Sequence, residues 1–177
     1  MPGQARHDEE AGPSHKTRAH PVLPRANLRY RSAMLDIRRI DDRVSVAPQI
    51  APEDIAAIKA AGFVAIVNNR PDGEEGAQPT GDAIRAAAED HGLAYTAIPI
   101  THAGFSMPQV TAMIDALGAA NGPVLAYCRS GTRSCNLWAL AQAGLGADPE
   151  SLTAQARGAG YDLTGLRPLM DAVAPPQ

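Results

Sequence analysis

Cys128 and Arg133 stand five positions apart in Pro-Val-Leu-Ala-Tyr-Cys-Arg-Ser-Gly-Thr-Arg-Ser, residues 123–134. A thiol attacks as its thiolate, and that form is favoured by converging backbone N–H groups and by the positive end of a helix dipole. The flanking residues are suited to build such a setting. Pro123 to Tyr127 is a short, mostly apolar run that reads as a buried strand. After Arg133 the pattern turns helical, with Leu137, Leu140 and Ala141 on one face. Gly131 lets the backbone turn so that N–H groups point inward, and the planar fork of Arg133 suits two-pronged capture of an oxyanion. Arg129 raises the local positive potential. Ser130, Gly131 and Thr132 offer backbone N–H groups to the same anion, and Ser134 is expected to hydrogen-bond the thiolate. The chemistry implied is covalent catalysis by Cys128 on an anionic substrate. A structural cysteine in a tight strand-to-helix turn is the plainer alternative, and Cys, Gly and Arg together at these offsets favour the reactive one.

Two further loops carry candidates. Phe63 to Val67 is a β-branched run that reads as a buried parallel strand, and Asn68-Asn69-Arg70-Pro71-Asp72-Gly73-Glu74-Glu75 follows it as a loop by its turn residues. In an open parallel sheet such post-strand loops converge on one site, which brings Arg70, Asp72 and Glu75 within reach of Cys128. A strand over 94–100 ends in Thr101-His102-Ala103-Gly104, where His102 is an acid–base or anion-binding candidate. His91, before Gly92, reads instead as a helix C-terminal cap. His7, His15 and His20 are too irregularly spaced for a metal site, no other metal-ligand spacing appears, and the nucleotide-binding Gly-x-x-x-x-Gly-Lys-Ser/Thr is absent. No cofactor is expected.

The elements that must position these residues alternate. A strand over 44–47, a helix from Pro52 to Gly62, the strand over 63–67, a helix from about Thr80 to Gly92 and the strand over 94–100 come first. A helix opened by a capping box at Ser106 and Gln109 leads to the cysteine strand. Helices from Ser134, from Asp148-Pro149 and over 163–173 complete the chain. This order predicts an α/β domain with a mainly parallel sheet flanked by helices. At 177 residues, 45% of them apolar, one domain with a sizeable core is expected. Its predicted extent is 34–177, behind a disordered arm over 1–33 that is rich in Pro, His and charge. The arm carries a net charge of +3 and the remainder −6, and an acidic body argues against a nucleic-acid partner. Two cysteines seven apart make no disulfide framework, so a reducing, cytoplasmic setting is expected. No apolar run approaches the ~20 residues of a membrane helix.

The loop Cys-x-x-Gly-x-Arg-Ser resembles the active-site loops of cysteine-dependent phosphatases and of rhodanese-type sulfurtransferases. With four residues rather than five between Cys128 and Arg133, it is more similar to the rhodanese type. Val46-Ala47-Pro48-Gln49-Ile50, Asn69-Arg70-Pro71-Asp72-Gly73-Glu74, Gln78-Pro79 and Tyr127 to Ser134 together resemble a bacterial family. That family is described as a beta-lactamase-hydrolase-like, phosphatase-like domain or as a sulfur transferase. The likeness runs from about Met34 to Val173. It implies a dual-specificity-phosphatase-like fold and the handling of sulfide or persulfide. Dual-specificity phosphatases carry a general-acid Asp in the loop corresponding to 101–106, whereas Thr-His-Ala-Gly-Phe-Ser has no carboxylate. Such an acid contributes about 10²–10⁴-fold to ester cleavage. On these two departures the expected function is a rhodanese-like sulfurtransferase. It would move sulfane sulfur from thiosulfate or another small sulfur-containing anion or persulfide, through a Cys128 persulfide, to a thiol acceptor. The alternatives are a protein-tyrosine or dual-specificity phosphatase, with its acid borrowed from Asp72 or His102, and a thiol redox sensor using Cys128 and Cys135. Outside the last reading, Cys135 is a small residue facing the core.

Overall fold

The computed structural model describes residues 31–32 and 35–176. Apart from Arg31–Ser32 (β1), which pairs antiparallel with Leu35–Asp36 (β2), the arm expected over 1–33 lies outside the described residues. The body is built on a five-stranded sheet. Arg38–Arg39 (β3) is its antiparallel edge strand, followed across the sheet by Val44–Ala47 (β4), Val124–Tyr127 (β7), Ala65–Asn68 (β5) and Ala94–Ala97 (β6), all parallel. The expected α/β architecture with a mainly parallel sheet is therefore present. β7 is central, and both of its faces are covered, which explains why Val-Leu-Ala-Tyr shows no polar alternation.

The period of two sorts the central strands between two cores. Val44, Val46, Ala65, Val67, Val124 and Ala126 belong to one, and Ala47, Ile66, Leu125 and Tyr127 to the other. The first core is closed by Met107–Ala119 (α3), Thr132–Gly144 (α4), Pro149–Gly158 (α5) and Arg167–Val173 (α6). The second is closed by Ile55–Ala60 (α1) and Gly81–Asp90 (α2). α4 lies against α3, α5 and α6 and is apolar nearly all round, with Leu137, Trp138, Ala139, Leu140 and Ala141 buried. The Trp138 indole N–H donates to Asp41 Oδ2 at 2.8 Å, which pins α4 to the turn between β3 and β4.

Local signals place most helix ends. The Ser106 N–H donates to Gln109 Oε1, the Asp148 carboxylate accepts the Ser151 N–H, and the Thr80 hydroxyl accepts that of Ala83. His91 is the C-cap of α2, with Nδ1 2.9 Å from Ala87 O, as expected. Two strand ends differ from the sequence reading. β6 stops at Ala97 because the pairing slips beyond it: the Ile98 N–H reaches Asn68 O, but the Ile100 N–H reaches Asn69 O, one residue short of continued register. β5 begins at Ala65 rather than Phe63. No helix among the described residues is long and apolar enough to cross a membrane.

Candidate active site

Because β7 is central, Cys128 emerges at the middle of the sheet's C-terminal edge, between the segments that leave β4 and β5. Three backbone contacts fix this junction. The Cys128 N–H donates to Ala47 O (3.4 Å), the Gln49 N–H to Arg129 O (3.4 Å) and the Asn69 N–H to Tyr127 O (2.8 Å). Cys128 is fully buried, and its Sγ accepts the Gly131 N–H at 3.1 Å. Gly131 sits at φ +86°, in the left-handed region that glycine adopts at least cost, and it is the residue from which α4 starts. The sulfur therefore lies under an inward N–H group at the positive end of a thirteen-residue helix.

Arg133, in the first turn of α4, is held from across the site by a residue that sequence reading did not single out. Glu74 receives Arg133 Nη1–H at Oε1 (2.6 Å) and Nη2–H at Oε2 (2.8 Å), and the Ile100 carbonyl accepts a second bond from Nη1 (2.7 Å). The end of the guanidinium is thus occupied. Nε–H and the second Nη2 hydrogen, which form its other two-pronged edge, meet no carboxylate or carbonyl among the described residues, and the guanidinium lies beside the Cys128 sulfur. The hydrogen bonds from Arg133 hold the Glu74 carboxyl well below its ordinary 4.5, at about 2, with Arg70 reinforcing them against burial. Arg133 is shifted upward in turn, first by Glu74 and further by the nearby Cys128 sulfur.

Around this pair runs a ladder of alternating charge. Arg70, almost wholly buried, donates Nε–H to Glu74 (2.9 Å) and Nη1–H to Gln49 Oε1 (2.8 Å), with Nη2 3.2 Å from Glu75. Glu75 also pairs with the exposed Arg129 at 2.9 Å. The order Arg129, Glu75, Arg70, Glu74, Arg133 sets three cations against two carboxylates, an excess of one positive charge beside the sulfur.

Of the predicted site residues, the structure brings together Cys128, Arg129, Gly131, Arg133 and Arg70. The Ser130 and Thr132 hydroxyls face each other at 3.1 Å on the exposed side of the loop. Ser134 departs from expectation: its Oγ is buried without a hydrogen-bond partner among the described residues, and the bond to Cys128 Sγ comes from Gly131 N–H instead. The Asp72 carboxylate accepts the Gly81 N–H at 2.8 Å, which ties it to the start of α2. His102 is exposed, two residues beyond the Ile100 carbonyl that holds Arg133. Cys135 is buried as expected, and burial pushes its thiol up to about 12. The missed residue, Glu74, carried only the weak signal of a carboxylate four positions after Arg70.

Residues 36–145 match the family model described as beta-lactamase hydrolase-like protein, phosphatase-like domain. The chain belongs to this phosphatase-like family. A beta-lactamase hydrolase-like protein of Agrobacterium fabrum is 36% identical over 105 residues, 59% of this chain and 24% of that one, so the chain spans about a quarter of its curated relative. A crystal structure described as a candidate phosphatase of Neisseria meningitidis is 32% identical, with a TM-score of 0.68, covering 77% of this chain and 97% of that one. Tk-PTP in its active form, at 20% identity and a TM-score of 0.62 over 77% of this chain and 95% of that one, shares the fold. These findings overturn the sulfurtransferase expectation, and with it the persulfide and its thiol acceptor. That expectation rested on counting four residues between Cys128 and Arg133 and on the lack of a carboxylate in 101–106. The count decided less than assumed. Gly131 closes the turn, α4 begins at Thr132, and the guanidinium is set in place by Glu74 rather than by the spacer.

Proposed function

We propose that the domain is a cysteine-dependent phosphatase that hydrolyses phosphate monoesters. The observation that carries this reading is the clamped Arg133, whose free edge accompanies a buried sulfur at a helix N-terminus within a phosphatase-like family. The Nε–H and Nη2–H edge matches two phosphoryl oxygens, and the N–H groups at the start of α4 serve the third. Cys128 thiolate attacks phosphorus; the S–P bond forms as the bond to the ester oxygen breaks. We assign the leaving oxygen's proton to His102, which is exposed two residues beyond Ile100, because Asp72 is engaged with α2. Water then attacks the phosphocysteine, gives its proton back to His102, and releases phosphate and the thiolate.

The test is turnover of p-nitrophenyl phosphate combined with acid-quench mass spectrometry. The wild type should release phosphate and show one phosphoryl group on the peptide that contains Cys128. Cys128→Ser should keep the circular dichroism and melting curve of the wild type and lose both signals. A folded wild type that cleaves no aryl phosphate, or a Cys128→Ser variant that turns over, would refute the proposal.

A further inference from the structure

The underside of the cysteine loop is closed by a residue with no part in the reaction just described. Tyr161 follows α5, and its hydroxyl donates to Ser130 O at 3.2 Å. The same oxygen fills the space beside Gly131, where an added Cβ would stand only 2.1 Å from it. Residue 131 is therefore restricted twice, by its φ of +86° and by the tyrosine. The ring is buried, with the Arg38 guanidinium 5.3 Å from its centroid, and Arg38 is held by Asp36 at 2.6 and 2.9 Å. A line of contacts thus runs from the edge of the sheet to the floor of the anion cradle. Burial pushes the Tyr161 hydroxyl up to about 12, so it remains a protonated donor at neutral pH.

We infer that Tyr161 is a positioning residue of the anion cradle: its hydroxyl holds the Ser130 carbonyl outward, so that the peptide beyond it presents the Gly131 N–H to the Cys128 site. The physical reason is a choice of sign. The 130–131 peptide presents either its N–H or its C=O to the bound anion. A carbonyl dipole facing a phosphoryl dianion is repulsive, whereas an N–H attracts it. With its carbonyl bonded to Tyr161, this peptide keeps its N–H on Sγ at 3.1 Å. This inference rests on the oxyanion site of the proposed function.

The test uses Tyr161→Phe in the full chain, which keeps the ring under Arg38 and removes only the hydroxyl. Two readouts need no turnover: binding of inorganic phosphate or tungstate by calorimetry, and the ratio of Cys128 alkylation rates by iodoacetate and iodoacetamide in a Cys135→Ala background. The anionic reagent reports the cradle and the neutral one reports the thiolate and its access. Losing one hydrogen bond should weaken oxyanion binding and lower that ratio by about three- to tenfold. Gly131→Ala completes a cycle, and it should cost less in the Tyr161→Phe background, where the nearest side-chain atom to the added Cβ recedes from 2.1 to 3.0 Å although the positive φ remains. Unchanged binding and an unchanged ratio in folded Tyr161→Phe would refute the positioning role. Should Tyr161→Phe unfold, Tyr161→4-methylphenylalanine, which fills the hydroxyl's space without a donor, must show the same loss, and wild-type binding there would equally refute it. A wild type that binds no oxyanion would instead refute the proposed function.

Discussion

Replacing Glu74 with Gln removes one charge and leaves the shape of the side chain. In the folded protein Glu74 accepts two hydrogen bonds from Arg133 and one from Arg70, and its side chain is mostly enclosed. Its carboxyl is lowered from the ordinary 4.5 to about 2, which corresponds to about 3 kcal/mol of differential stabilisation. Because the folded-state value is depressed, this stability is present above about pH 4.5, where the unfolded chain is also ionised, and is lost as pH falls through about 2. A Gln oxygen in the place of Oε2 still accepts from Arg70 and from Arg133 Nη2, but its NH2 group faces the Arg133 Nη1 donor and the charge is gone, so Glu74→Gln should cost about 2–3 kcal/mol at pH 7. Urea unfolding followed by circular dichroism, at pH 7 and at steps down to pH 2, measures this. The gap between the two proteins should be full at neutral pH and close in acid. The same change frees the end of Arg133, so KM for an aryl phosphate should rise about tenfold, with a smaller fall in kcat. Equal stability at pH 7, or a gap that persists undiminished at pH 2, would show that Glu74 is not the anchor.

Arg133→Lys replaces a fork that bonds Glu74 on one edge and, in the proposed reaction, an oxyanion on the other with a point charge, and should lower kcat/KM about ten- to hundredfold; unchanged kinetics would remove Arg133 from the site. Cys135→Ala should keep most activity, because that thiol is buried and held protonated by burial; a variant as inactive as Cys128→Ser would point to a two-thiol mechanism. His102→Ala should slow phenyl phosphate, whose leaving oxygen needs a proton, far more than p-nitrophenyl phosphate. Equal losses on both substrates would take the proton donor elsewhere.

What the sequence disclosed and what it hid divide along the range of the interactions. The cysteine strand, the turn at Gly131 and the caps at Ser106, His91 and Asp148 are written in neighbouring residues, and all appear where expected. Glu74 was illegible because Arg70, Asp72, Glu74 and Glu75 share one turn-rich loop. Which carboxylate meets Arg133, 59 positions away, depends on how Pro71 and Gly73 direct the chain. Asp72 turned toward α2 and Glu75 toward Arg129, outcomes that no spacing rule encodes. Tyr161, 31 positions beyond Ser130, carried no local signal at all.

The same division explains why loop length misled. A spacer count treats the cradle as a ring closed by its own backbone, so one residue fewer implies a smaller anion. In the proposed site the oxyanion position is set by two bodies instead. The N-terminus of α4 sets the N–H groups, and the loop after β5 sets the guanidinium through Glu74. Both are anchored to adjacent strands in parallel register, with Ala65 to Asn68 beside Val124 to Tyr127. The distance between them is therefore a property of the sheet, and the residues between Cys128 and Arg133 need only span it. Gly131 provides that span in one left-handed step.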